Sequence, residues 1–295
     1  MYINWNPIHK FTLWNFSIHV YSLMFIISFI LGWYIMKYFY QKDHVDKKYL
    51  DPLFTYTFLG TIIGARLGQI IFYDFSYFAD HLIEAFLPIK ENNESLLLGF
   101  IKGYEFVGYR GLSSHGATIG IIISNLFYIK NILNNKKSFI WLCDRLCIIA
   151  TLSAVFIRIG NFFNSEIVGK PCNDQLPWAV KFIQMDPNYG EIIPRHPTQI
   201  YESISYLLIF ILLWLLYHKK NNINDGFLSG IFFISLWSVR FLLEFMKEPQ
   251  NNNEFFSLLF LNTGQILSIP FIIFGIILII LSRLSRIKKL FFYHE

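Results

Sequence analysis

Apolar residues collect in seven stretches of about twenty, separated by polar segments, over residues 17–40, 52–73, 112–129, 139–163, 197–217, 226–245 and 264–281. An α-helix of about 20 apolar residues spans the hydrocarbon core of a bilayer. Inside that core every backbone polar group must be paired within the protein. The pattern therefore predicts an all-α polytopic membrane protein, a single membrane domain over residues 1–295 with about seven transmembrane helices. Two longer polar segments, 74–111 and 164–195, interrupt the rhythm. The second holds "KPCNDQLPWAVKF" and "DPNYGEIIPRHP", whose turn residues bracket a short strand around 178–182. These segments are expected to build a small outer cap. Residues 77–87 are expected to lie along the interface as an amphipathic piece.

Composition supports this reading. Charged residues make up 15% of the chain and hydrophobic ones 54%, against about 25% charged in a typical soluble domain. That excludes an ordinary globular domain. Aromatic residues reach 19%, as lipid-facing helices and interfacial belts require. The net charge of +5 sits mostly in short loops and calls for no nucleic-acid partner. Of the three cysteines, Cys143 and Cys147 lie one helical turn apart in an apolar run, where a packing role is expected; no Cys-x-x-Cys pair suggests metal or redox work. The first span lacks the basic flank and small-residue cleavage site of a removable signal.

Charge also orients the chain. "KYFYQKDHVDKK", "KNILNNKK", "HKKNNIND" and "RLSRIKKL" follow spans one, three, five and seven. Short segments rich in Lys and Arg belong on the cytoplasmic side, so the N-terminus is expected outside and the C-terminus inside.

Against that topology the polar residues within the spans share one depth. Arg66, Arg158, Asn161, Arg240 and Glu244 fall toward the outer ends of spans that run outward. Tyr21, His115, Gln199, Tyr201 and Glu202 fall in the first turns of spans that run inward, and His196 immediately precedes span five. Ionisable groups in a span cost about 2.5–3.5 kcal/mol each on insertion scales and mark a function by default. One polar site opening to the outer side accounts for all of them. In span four, Asp144, Thr151, Arg158 and Ser165 recur every seven residues, nearly on one helix face. Asp144 lies about 21 Å along the axis from Arg158, so an ion pair with neighbouring Arg145 is the expectation there. Arg240 and Glu244 either form an intrahelical salt bridge, or Glu244 orients an arginine aimed at a bound anion. Gly64 and Gly68, four apart, suit close helix packing.

Two or three guanidiniums with few carboxylates, in a low-dielectric site, favour an anion, and the planar fork of arginine suits phosphate. Beside an outer leaflet the abundant phosphate is a phospholipid headgroup. A transporter of an anionic solute would use similar arginines, but it would place them near the midplane, often with inverted repeats, and no repeat is evident. A lipid-binding scaffold without chemistry is a further alternative.

Several stretches together resemble the prolipoprotein diacylglyceryl transferases. They are "IHVYSLMF", "GARLGQIIFYDF", "YRGLSSHGATIG", "FIRIGNFFNSEIVGKP", "RHPTQIYES", "VRFLLEFMKEP" and "NTGQILSIP", in the order and topology of that family. The usual Arg-Trp-Tyr-Gly of the first span is replaced here by His19, Val20, Tyr21 and Ser22. The resemblance implies an integral enzyme of the bacterial inner membrane. It would transfer the diacylglyceryl group of phosphatidylglycerol to the lipobox cysteine of a prolipoprotein signal peptide, with a thioether as product and glycerol phosphate leaving. No metal or organic cofactor is implied. Essential roles fall on Tyr21, His115, Arg158, Asn161, Gly169, Arg240 and Glu244; Arg66, His196, Gln199, Tyr201 and Glu202 are supporting candidates. His115, with an ordinary pKa near 6.5, either accepts the thiol proton or binds headgroup hydroxyls.

Overall fold

A computed structural model describes residues 2–8, 10–13, 16–87, 89–97, 101–106, 113–173, 176–219, 223–248 and 261–292. The apolar stretches become the long helices. These are α1 (Val20–Lys42), α2 (Leu50–Phe72), α5 (Ser114–Asn131), α6 (Phe139–Phe163), α7 (Thr198–Lys219), α8 (Phe227–Leu243) and α9 (Thr263–Phe292). Between α2 and α5 lie two short helices, α3 (Phe75–Asp80) and α4 (Leu82–Phe86). Within them Phe75, Leu82, Ile83 and Phe86 are exposed. The third expected span begins at Leu112, which lies outside the described residues, as does the rest of 107–112.

The all-α expectation needs correction outside the long helices. Among the described residues, six strands form three two-stranded sheets: β1 (Tyr2–Trp5) with β6 (Ala179–Phe182), β2 (Lys10–Leu13) with β3 (Phe16–His19), and β4 (Ile89–Leu97) with β5 (Ile101–Phe106). The strand expected around 178–182 is β6, and it pairs in parallel with β1, Tyr2 opposite Ala179 and Trp5 opposite Phe182. The first span begins at Val20 rather than residue 17, because 16–19 pair as a strand. The seventh was expected to stop at 281, yet α9 continues to Phe292, so the basic run "RLSRIKKL" belongs to the helix.

Among the described residues, five helices are long and apolar enough to cross a membrane: Val20–Lys42, Phe139–Phe163, Thr198–Lys219, Phe227–Met246 and Gly264–Leu284. With the transferase-family resemblance, they make this a multi-pass membrane protein. Helices α2 and α5 are not among the five, since glycines and polar side chains dilute both.

The chain divides into two compact units. One comprises Met1–Phe39 and Ile140–Glu295, the other Tyr40–Phe139. In the first, α8 starts at Gly226, whose φ of 91° is left-handed and suits glycine. Asp144 caps this helix from α6. Its carboxylate accepts from the Gly226 amide (2.9 Å), the Ser229 amide (2.8 Å) and the Ser229 hydroxyl (2.6 Å). The Asp144 hydrogen bonds go to this cap, while the guanidinium of the adjacent Arg145, whose charge still acts on Asp144, lies over the Trp141 and Tyr217 rings. A small apolar core of Val168, Val180, Phe182 and Met185 forms under the loops, with Trp5, Phe162 and Tyr189 against it. Trp5 donates its indole N–H to the Phe162 carbonyl at 2.9 Å, tying β1 to the end of α6.

The second unit is built on α2 and α5. Gly60, Gly64 and Gly68 of α2 face Gly116 and Gly120 of α5, and a Cβ on Gly64 would come within 2.7 Å of the Gly120 Cα. The small-residue spacing thus lets the two backbones touch. Ser113 caps α5, accepting from the Gly116 amide at 3.3 Å, while its own amide reaches the Ala65 carbonyl at 3.0 Å.

Candidate active site

In the first unit the polar side chains at the ends of α6, α7 and α8 converge on Glu202. This carboxylate is wholly buried. Its Oε2 lies 2.8 Å from Arg158 Nε, but the N–H is not aimed along that line, so the oxygen has charge contact without an aligned donor. Its Oε1 accepts from Lys247 Nζ at 2.8 Å and from the Tyr206 hydroxyl at 3.2 Å. Burial of an ion pair demands such close partners, because isolated charges away from water cost several kcal/mol each.

Arg158 extends this network along α6. Its Nη1 donates to Asn161 Oδ1 at 3.1 Å, and Asn161 Nδ2 donates to Glu166 at 3.3 Å. Asn164 donates to the other Glu166 oxygen at 3.2 Å. Gln199 Nε2 reaches the Glu166 backbone carbonyl at 2.6 Å, fastening the turn to α7. The helix ends at Phe163, and the next residues turn sharply: Ser165 and Ile167 both have φ of 55°. A β-branched residue in the left-handed region is a true outlier. Ser165 therefore leaves the helical stripe of Asp144, Thr151 and Arg158 on which its spacing had placed it.

Tyr21 enters this neighbourhood from α1. Its ring rests on Gly160, where a Cβ would come within 2.8 Å of Tyr21 Cδ2. Gly160 is thus what admits the tyrosine one turn from Arg158 and Asn161. Tyr21 also packs edge-on to Phe25 at 5.1 Å.

At the end of α8, Arg240 stacks near Trp237, 5.4 Å from the ring centre. Its Nε is buried with no hydrogen-bond partner among the described residues. Tyr206 lies in the electrostatic field of Glu202, Arg158 and Arg240 together, so Arg240 shares the neighbourhood. Glu244 forms its ion pair with Lys247, at 3.7 Å, one turn onward; this is the contact found where a salt bridge to Arg240 had been one of two readings. Gly264, in the first turn of α9, backs onto the Glu244 carboxylate, and a Cβ there would sit 2.5 Å from its carbon.

Gly169 is buried in the loop after α6. A side chain on it would press on His196 Cβ (2.8 Å) and Thr198 Cγ2 (2.9 Å). Its carbonyl accepts from buried Arg195 at 3.2 Å, and it bridges to Lys247 in antiparallel fashion. The Lys170 amide likewise donates to the Met246 carbonyl at 2.8 Å. The loop is thereby stitched to the end of α8, which holds Lys247 in place. His196, Tyr201 and Trp178 form a separate cluster, with Trp178 donating to the Tyr201 hydroxyl at 2.8 Å and His196 Nδ1 3.3 Å from it.

Two predicted site residues belong to the second unit. His115 is exposed in the first turn of α5. Arg66 is buried, donates through Nε to the Ala85 carbonyl at 2.8 Å and through Nη2 to the Glu84 carbonyl, and lies 4.6 Å over the Phe78 ring. It ties α2 to α3 and α4. Lys247 and Tyr206 were not singled out from the sequence. For Lys247, its position three residues past Glu244 was the available signal. Burial lowers the Lys247 pKa from its ordinary value, against the raising influence of Glu202 and Glu244.

Comparison with known proteins adds an independent line. The family model described as prolipoprotein diacylglyceryl transferase matches residues 9–281. The phosphatidylglycerol–prolipoprotein diacylglyceryl transferase of Bacteroides fragilis is 38% identical over 276 residues, 93% of each chain. That of Tolumonas auensis is 36% identical over 272 residues, 92% of this chain and 94% of the relative. A relative so named from Protochlamydia amoebophila is 42% identical over 252 residues, 83% of this chain and 59% of its own length. With matches of this extent, the chain belongs to the prolipoprotein diacylglyceryl transferase family.

Proposed function

We propose that the protein is a phosphatidylglycerol–prolipoprotein diacylglyceryl transferase, working in the first step of lipoprotein maturation. Family membership supports the activity. The observation that carries the chemistry is the cation cluster of Arg158 and Arg240 beside the buried Lys247–Glu202 pair, with a buried Arg240 Nε that lacks a partner among the described residues. Such a cluster suits a phosphate diester.

The reaction is a substitution at carbon. The lipobox thiolate sulfur forms a bond to the diacylglyceryl carbon, and the bond from that carbon to the phosphate oxygen breaks. The electron pair leaves on glycerol phosphate, and the thiol proton passes to a base. Arg158 and Arg240 bind the phosphate and stabilise the charge that grows on the departing oxygen. Asn161 holds Arg158 in place, and Glu244 and Gly169 shape the headgroup end of the site. Tyr21 is given the part of helper to the base. Residue type and family resemblance give His115 the part of base, since a thiol with pKa near 8.5 must be deprotonated to attack. Replacing His115 with Gln should then flatten the rise of rate with pH; an unchanged profile would return the activation to the arginine field.

Within this reading all seven spans cross the bacterial inner membrane. The N-terminus lies outside, the C-terminus is cytoplasmic, and the cap residues lie over the outer leaflet. The alternation of basic segments supports that orientation. The alternative of an anion transporter loses its footing, because the relatives are named as transferases.

The test is purified protein in nanodiscs with phosphatidylglycerol and a fluorescent lipobox peptide. A thioether-linked diacylglyceryl peptide is expected, and none when phosphatidylethanolamine replaces phosphatidylglycerol. No product from folded protein with phosphatidylglycerol would remove the transferase reading.

A further inference from the structure

Glu202 has two cations on one buried carboxylate, and the two contacts differ in kind. Lys247 donates a hydrogen bond to Oε1 at 2.8 Å. Arg158 sits 2.8 Å from Oε2 without its N–H pointing at that oxygen. Lys247 is itself buried, held by the backbone bridge to Gly169 and by Glu244 at 3.7 Å. Arg158 is more accessible than either, its side chain 13% exposed, and has a second support in Asn161. A buried carboxylate stripped of every cation costs several kcal/mol. With one cation fixed on Glu202, the other is free to turn outward.

We infer that Lys247 is a positioning residue, the permanent counter-ion of Glu202, which lets Arg158 transfer its guanidinium from Glu202 to the phosphate of an incoming anionic lipid. Without Lys247, Glu202 has Arg158 as its remaining close cation and holds it back. With Lys247 present, the carboxylate stays neutralised whether or not Arg158 leaves. The role works through Arg158 and requires no contact between Lys247 and the lipid.

This inference rests on the proposed transferase reading and is tested inside it. Thioether formation is measured against phosphatidylglycerol concentration for wild type, Lys247→Met, Lys247→Arg and the pair Lys247→Gln/Glu202→Gln. Lys247→Met should raise the KM for phosphatidylglycerol at least about tenfold while kcat changes less. Lys247→Arg should stay within about threefold of wild type, because the counter-ion is kept. The double variant should return to within about threefold in KM, because neither charge remains to trap Arg158. A Lys247→Met KM within threefold of wild type would overturn the inference. So would a double variant as impaired as Lys247→Met, since that marks Lys247 as a direct lipid ligand. If Lys247→Met fails to fold, the double variant decides: a KM within about threefold of wild type supports the inference, and a larger rise overturns it. An inactive wild type would instead count against the transferase reading itself.

Discussion

Arg66 and Arg240 each sit in a helix rich in apolar residues, and their surroundings differ in what they leave unsatisfied. Arg66 gives its donors to the carbonyls of Ala85 and Glu84 and lays its plane over Phe78. Its charge is used within its own unit to clamp α4 to α2. Arg240 has its ring contact with Trp237 but a buried Nε that finds no acceptor among the described residues. An arginine in a span is therefore not a site by itself. What separates a clamp from a binding group is whether the chain supplies the acceptors. The two units differ likewise in how their helices meet: α2 and α5 touch through glycine backbones, whereas α6, α7 and the end of α8 meet through Arg158, Glu202 and Lys247.

The sharpest way to break this contrast is to remove each arginine. Arg240→Ala should lower thioether formation by at least about 100-fold in kcat/KM, the scale of losing a preorganised charge stabiliser. An active Arg240→Ala enzyme would end its phosphate role. Next comes the backbone contact of the second unit. Gly64→Val would drive a side chain into Gly116 and Gly120, and a cost of about 3 kcal/mol is expected, read as a lower melting midpoint in detergent. Arg66→Met should cost about 2 kcal/mol by leaving two buried carbonyls unpaired, yet folded Arg66→Met protein should keep kcat/KM within about threefold of wild type; a large catalytic loss with unchanged melting would make Arg66 a site residue after all.

The smallest effect concerns Glu84, which accepts from the Tyr77 hydroxyl at 2.6 Å and the Glu91 amide at 2.7 Å. Burial pushes its carboxyl up, but those hydrogen bonds and the nearby His81 and Lys90 charges leave it lower than an ordinary glutamate. Its stabilisation is thus present above the ordinary carboxylate range and is lost as pH falls through the lowered value. Hydrogen exchange in residues 82–92 should quicken from about pH 4 downward, over and above the intrinsic pH dependence of exchange. Glu84→Gln should remove that added dependence, and an unaltered profile would show that Glu84 does not order this segment.

Much of this architecture was legible in the pattern of apolar residues, because a long helix is a local object with a local signature. Span four, read as 139–163, is α6 to the residue. The Gly64 and Gly68 spacing announced a close helix contact without naming α5 as its partner, and the Arg158 and Asn161 pairing follows from a separation of three on one helix. What stayed hidden depends on residues far apart in the chain. Asp144 was assigned to its neighbour Arg145, but its donors are Gly226 and Ser229 on another helix. Glu202 was placed at the common depth and among the supporting candidates, but nothing local says that it faces Arg158 and Lys247. Strand β1 has no signature of its own, since its partner β6 lies more than 170 residues away.

The division of the chain also sets an order of assembly. Residues 1–39 emerge first, but their unit needs partners that begin at Ile140. The intervening segment, Tyr40–Phe139, is continuous and has its own helix pair. At about 5–20 residues per second of synthesis, α1 waits roughly 5–20 s for α6 to appear. Tyr21 therefore reaches Gly160 only after the other unit has had time to close, and the unit holding the charged cluster is the last to be completed in the membrane.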